Sequence, residues 1–119
     1  LGENILMAES IFQKIARGDT DTEILFQDDR CFVIRDLNPV APVHLLLIPF
    51  WKCTSLAYIG PGQEPLIGHL FAVAEEMARR EGVALSGYRL VVNQGPDSGQ
   101  EIDHLHVHLI GGTKLSNIG

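Results

Sequence analysis

From His104 to Leu109 the chain alternates histidine with aliphatic residues, His104-Leu105-His106-Val107-His108-Leu109, and then runs through Ile110 into the pair Gly111-Gly112. Residues two apart share a face on a strand and diverge on a helix. The period of two therefore predicts a strand with His104, His106 and His108 on one face and Leu105, Val107 and Leu109 on the other. Next-but-one positions lie roughly 6.5–7 Å apart, so the outer histidines stand about 13 Å from each other and the middle one reaches both. One such histidine is an ordinary polar residue of a half-buried strand. Three in register form a row of groups suited to different atoms of one substrate.

Upstream, Ser10 is placed to cap a short helix in which Ile11, Phe12 and Ile15 form an apolar stripe ending at Gly18. Residues 23–26 and 31–36 read as two strands of a hairpin, with Asp28-Asp29 supplying the turn. Pro39 and Pro42 make 37–42 a connection, since each removes a backbone donor and pushes its predecessor out of helical space. Val43 to Ile48 is so apolar that both faces are expected to be covered, with His44 at its beginning. A short helix is expected around Ser55, and Trp51 is a core or interface aromatic.

Leu66, Leu70, Val73 and Met77 recur at helical spacing between Gln63 and Arg80, with Phe71 and Ala74 widening the stripe and Gly82 just beyond the end. His69, Glu75, Glu76, Arg79 and Arg80 fall on the solvated side of this main helix. Tyr88 to Asn93 is a further strand. The glycine-containing loop from Gln94 to Gln100 leads into the histidines and can turn consecutive N–H groups toward an anion.

At 119 residues the chain is one domain's worth, read as a single domain over 7–119, with Met7 as a natural start and residues 1–6 as added or upstream sequence. Nine Lys plus Arg and a net charge of −6 give no basic stripe for a nucleic-acid polymer, and a small phosphorylated metabolite is the better match. The longest apolar run, Val43 to Trp51, is too short to cross a bilayer, so no membrane partner is expected. Cys31 and Cys53 form no C-x-x-C pair and read as buried, reduced thiols, which suits a cytoplasmic protein.

Taken together these stretches resemble the histidine triad (HIT) family, and within it the Hint-like branch. The residues that carry the likeness are 10–15, 28–31, 36–44, 87–89, 92–95 and 99–112. The resemblance implies an α+β, HIT-like fold: a five-stranded antiparallel sheet with one long and one or two short helices, dimerising into a continuous ten-stranded sheet. It also implies a homodimer that hydrolyses purine nucleoside 5′-phosphoramidates and binds the corresponding nucleotides. In that pattern His106 is the nucleophile and forms a covalent nucleotidyl intermediate. The backbone of His104 holds its tautomer, with the side chains of His104 and His44 in support. The family places base contacts on Ile11, Phe12, Ile15, Ile34 and Leu37, ribose contacts on Asp36, and a phosphate-side asparagine at Asn93.

Chemistry adds that His108, one strand repeat beyond His106, reaches the leaving group as general acid. The backbone of Gly99, Gln100 and Glu101 and the Gln100 side chain are candidates for the non-bridging oxygens. No metal or other cofactor is required by this scheme. The chain departs from the family pattern at Glu101, where Ser is common, at Asp103 and Ile34, where aromatics are common, and in lacking a Trp-Pro-Pro ending. Two other readings remain open. One is a metal-binding protein built on the H-x-H pattern with His44, which lacks a clearly placed carboxylate. The other is a nucleotide-binding scaffold with vestigial catalysis, which Glu101 and Asp103 suggest.

Overall fold

Ser10 opens the first element through a capping box: its hydroxyl accepts from Gln13 N at 3.2 Å, and the Gln13 side chain accepts from Ser10 N at 3.0 Å. The helix that follows, α1 (Ile11–Ala16), is shorter than the span to Gly18 and buries Phe12 and Ile15 while leaving Ile11 45% exposed. The computed structural model describes residues 9–118, so the reading of Met7 as a start and of residues 1–6 as upstream lies outside the described residues.

The hairpin forms as β1 (Phe26–Gln27) and β2 (Cys31–Arg35), pairing Phe26 with Val33. Its turn is made by one carboxylate oxygen of Asp28, which accepts from Arg30 N at 2.8 Å and Cys31 N at 2.9 Å. The strands β3 (Val43–Pro49), β4 (Tyr88–Val91) and β5 (Val107–Gly111) complete an antiparallel five-stranded sheet in the order β1-β2-β3-β5-β4. The last strand in sequence is thus interior in space, between β3 and β4.

The sheet separates two cores. On one face Val33, Leu45, Leu47, Val107 and Leu109 pack with Leu70, Val73, Ala74, Met77 and Ala78 of the long helix α2 (Glu64–Arg80). On the other, Phe32, Ile34, Leu46 and Ile48 pack with Phe12 and Ile15 of α1. Every residue of β3 is buried because its neighbours face opposite cores. Each fully buried aliphatic side chain contributes about 1.5–3 kcal/mol, which lets a one-and-a-half-turn helix hold its place.

Three expectations need correction. The histidine strand begins only at Val107, because its ladder with β3 ends at the pair Leu47 and Val107. His104 and His106 precede it in irregular chain, yet Leu105 still packs into the α2 core with Val107 and Leu109. Phe71 does not widen the α2 stripe and is 54% exposed, the buried line running instead through Ala74 and Ala78. His69 is not merely solvated: its Nε2 lies 2.5 Å from Asp28 Oδ2, and Arg30 donates to its Nδ1 at 3.0 Å, clipping α2 to the β1–β2 turn. A 3₁₀ turn at Leu56–Tyr58, capped by Ser55, matches the expected short helix. Both cysteines are free and buried, and Trp51 is half-buried against the α2 core. No helix among the described residues is long and apolar enough to cross a membrane.

Candidate active site

On the α1 side of the sheet, Leu46 pairs with His108 and His44 with Ile110, so His44 and His108 are diagonal neighbours on one face. Their ring centroids are 5.1 Å apart, and those of His106 and His108 are 5.0 Å apart. Phe12 meets the rings of His104 and His106 edge-on, at 5.5 and 5.0 Å. The first helix and the histidine segment are therefore in direct contact.

The hydrogen-bond partners assign every tautomer. His104 Nε2 lies 2.9 Å from the Pro49 carbonyl, which can only accept, so Nε2 carries the proton and Nδ1 accepts from the Ser10 hydroxyl at 2.7 Å. His106 Nδ1 donates to the His104 carbonyl at 2.7 Å, which leaves the lone pair on His106 Nε2. At His44, Nδ1 accepts from Val40 N at 3.1 Å, so Nε2 holds the proton. That Nε2 lies 2.9 Å from His108 Nδ1 and 3.3 Å from Asp36 Oδ2. His108 Nδ1 is then an acceptor, and its own proton sits on Nε2.

Burial lowers the pKa of His104 and of His44, the latter against the opposing pull of Asp36. Burial, with His106 and His44 adjacent, pushes His108 down to about 4. Burial thus favours the uncharged form of His44, His104 and His108, each with fixed donors and acceptors.

The rings of His44, His106 and His108 border a cleft of about 290 Å³ that Asp36, Asn38, Val40, Leu46, Asn93, Gly99, Glu101 and Ile102 also line. No lysine or arginine is among these lining residues. A larger depression of about 700 Å³ beside Arg89 and Lys114 contains no histidine. Gly99 has φ 82°, a left-handed conformation that ends the 3₁₀ turn Pro96–Ser98 and folds the loop over the cleft.

Of the residues singled out from sequence, Asp36, His44, Asn93, Gly99, Glu101, His106 and His108 line this cleft together. His104 is 1% exposed and acts from beneath. Phe12, Ile15 and Ile34 lie in the α1 core, whereas Ile11 and Leu37 are surface residues, Leu37 at 87% exposure. The Gln100 amide is engaged elsewhere: its oxygen accepts from Gly95 N at 2.8 Å and its nitrogen donates to Ile102 O at 3.1 Å. It braces the loop and does not line the cleft. Asp103 is exposed. The Ser10 hydroxyl, the Val40 amide, Asn38, Leu46 and Ile102 were not anticipated. The short 36–44 connection could have signalled Val40, but nothing local links Ser10 to a residue 94 positions away.

Among the described residues two groups carry donor sets for a metal. Asp36, His44 and His108 place ligand atoms within 4.8 Å of one another, so the carboxylate that the H-x-H reading lacked is present. A carboxylate with two imidazoles suits zinc, although the His44 Nε2 proton would have to leave. Asp28, Cys31 and His69 form the second group. There burial and the adjacent Asp28 push the Cys31 thiol up to about 12, and the cluster is closed by its own hydrogen bonds.

A model of the HIT domain matches residues 17–115. The chain is 39% identical over 107 residues to the purine nucleoside phosphoramidase of Escherichia coli K12, covering 90% of each protein. It superposes on a HIT family hydrolase from Clostridium thermocellum with a TM-score of 0.89 and 33% identity, over 94% of this chain and 97% of the other. A histidine triad protein from Clostridium difficile gives a TM-score of 0.86 at 38% identity, over 92% and 95%.

Proposed function

The chain belongs to the histidine triad (HIT) family of hydrolases, and on that premise we propose that it cleaves the P–N bond of purine nucleoside 5′-phosphoramidates through a nucleotidyl–His106 intermediate. The observation that carries this reading is the bond from His106 Nδ1 to the His104 carbonyl, which leaves the Nε2 lone pair available beside the proton-bearing His108. A neutral, oriented imidazole is a competent nucleophile for phosphorus and divides one hard displacement into two easier ones.

His106 Nε2 attacks phosphorus, the P–N bond breaks, and its electron pair goes to nitrogen. The anionic phosphoryl group offsets the burial that lowers His108, and Asp36 stands on the same side, so the bound complex favours a protonated His108, with the His44 Nε2–H turned from His108 Nδ1 to Asp36 Oδ2, 3.3 Å away. That proton passes to the departing amine. Neutral His108 then takes a proton from the attacking water, the P–His106 bond breaks, and nucleoside monophosphate leaves with both histidines restored.

The non-bridging oxygens are held by the Gly99 to Glu101 backbone and Asn93, in place of the lysine or arginine the cleft lacks. Asp36 keeps free lone pairs beyond its bond from Asn38 N and accepts from the ribose hydroxyls. Ile11 and Leu37 offer exposed apolar surface for the base, with Phe12, Ile15 and Ile34 packed behind. No metal or cofactor takes part. A homodimer forms by pairing of β4, which has only β5 beside it among the described residues, giving ten continuous strands. The free thiols of Cys31 and Cys53 suit a cytoplasmic location.

The test is release of amine from adenosine 5′-phosphoramidate. Wild type turns over, His106→Ala loses at least about a hundredfold, and a His108 variant accumulates nucleotidyl-enzyme that mass spectrometry assigns to His106. Equal rates for wild type and His106→Ala refute the mechanism and leave a binding scaffold. The metal-binding reading rests on Asp36, His44 and His108, and activity that survives exhaustive chelation removes it.

A further inference from the structure

We propose that Ser10 is a positioning residue for the nucleophile, acting through the ring of His104. The inference rests on His106 being the attacking group, and it concerns a residue upstream of the 17–115 segment that matches the HIT domain.

The Ser10 hydroxyl has two partners. Its oxygen accepts the Gln13 N–H at 3.2 Å, and it lies 2.7 Å from His104 Nδ1. The other ring nitrogen of His104 faces the Pro49 carbonyl, so Nδ1 is the accepting atom and Ser10 supplies the hydrogen. The ring is pinned at both ends inside the protein, at 1% exposure, between the N-terminus of α1 and the end of β3. The carbonyl of this same residue fixes His106 Nδ1–H at 2.7 Å. His104 precedes β5, and the peptide that carries its carbonyl is anchored from one side by Leu105 N–H, which donates to Cys53 O at 2.7 Å. The His104 side chain is the second anchor, on the other side of the same residue, and losing the Ser10 hydrogen lets the ring turn and loosens the aim of that carbonyl at His106 Nδ1.

Three variants separate this role from helix capping. Ser10→Thr keeps both the capping oxygen and the donated hydrogen. Ser10→Gly keeps an N-cap residue of nearly the same preference but has no hydrogen to give. Ser10→Ala loses both. Histidine side-chain nitrogen NMR reads the tautomers, and steady-state kinetics with adenosine 5′-phosphoramidate reads the consequence. Ser10→Thr is expected to stay near wild type in both. Ser10→Gly should remain folded, lose about ten- to a hundredfold in kcat with KM within about twofold, and show His106 no longer confined to its Nδ1–H form. Wild-type kcat in Ser10→Gly, or an unchanged His106 tautomer in both Ser10→Gly and Ser10→Ala, overturns the proposal. If the wild-type protein does not cleave phosphoramidates, the kinetic arm falls with the functional reading, and the NMR arm still decides whether Ser10 governs the His106 tautomer.

Discussion

His44 Nε2 stands 2.9 Å from His108 Nδ1 and carries the hydrogen between them, because the Val40 amide occupies the opposite nitrogen of His44. His44 therefore sets the tautomer of His108, while His104 sets that of His106. Replacing His44 with Ala leaves His108 Nδ1 without a donor, and its proton distributes over both nitrogens. The expected result is a loss in kcat of about tenfold or more with smaller change in KM, since the interaction acts on the proton donor and not on nucleotide binding. Steady-state kinetics on one phosphoramidate checks it, and a change confined to KM counts against the assignment.

Acid assistance by His108 predicts a leaving-group dependence. An alkylamine needs a proton to depart, whereas an aryl ester such as a 4-nitrophenyl nucleotide leaves without one. His108→Ala should lose about a hundredfold or more on the amine and less than about tenfold on the aryl ester. Similar losses on both substrates would show that His108 serves position or phosphate binding instead.

Burial of neutral histidines also makes stability depend on pH, with a definite sign. Unfolded, His108 titrates near 6.5; folded, burial and its histidine neighbours hold it to about 4. The unfolded chain therefore binds the proton first, so stability is complete above about pH 6.5 and is lost as pH falls toward 4. For a side chain still partly open to the cleft the loss is on the order of 2–3 kcal/mol, and His44 and His104 add to it in the same direction. Denaturation midpoints at pH 7 and pH 4.5 should differ more for wild type than for His108→Asn. Asp28 does not confuse this window. Burial opposes its ionisation, but the Arg30 and Cys31 amides and His69 hold it at about 2, so its contribution is lost only below about pH 4.

The division of faces was legible in the sequence because burial follows a period of two: Leu105, Val107 and Leu109 enter the α2 core as the alternation requires, and both faces of β3 are covered as its apolar run implies. The start of β5 was not legible, since β3 runs on to Pro49 beyond the last pair, and Leu105 N–H turns away from it to the Cys53 carbonyl. The same limit applies to His69. Its place on the polar side of α2 was readable, but its bond to Asp28 depends on how the helix crosses the hairpin. At the site, residue types pointed to His44 and Asp36, while the proton on each ring depended on partners from other elements: Pro49, Ser10 and Val40. Gln100 shows the converse, a side chain whose chemistry suited phosphate and whose hydrogen bonds are taken by its own loop.

The clip between His69 and Asp28 allows stability to be separated from activity. Asp28 Oδ1 secures the hairpin turn and Oδ2 receives His69, so His69→Ala removes only the link to α2 and leaves the turn intact. The pair is partly exposed, at 18% and 25%, so its loss is expected to cost about 1–2 kcal/mol, less than a fully buried charged hydrogen bond. Chemical denaturation should show that shift, with phosphoramidase turnover per folded molecule unchanged within about twofold, because the clip lies in the hairpin and helix and not in the histidine cleft. Cys31 supplies an independent readout of the same region. It is 0% exposed and its thiol is held up at about 12, so it should resist thiol reagents in the native state and react only through opening of the hairpin. If the clip closes that opening, His69→Ala labels at Cys31 about tenfold faster than wild type, in proportion to the stability lost; an unchanged labelling rate beside a normal denaturation midpoint would mean that the hairpin and α2 hold together without it.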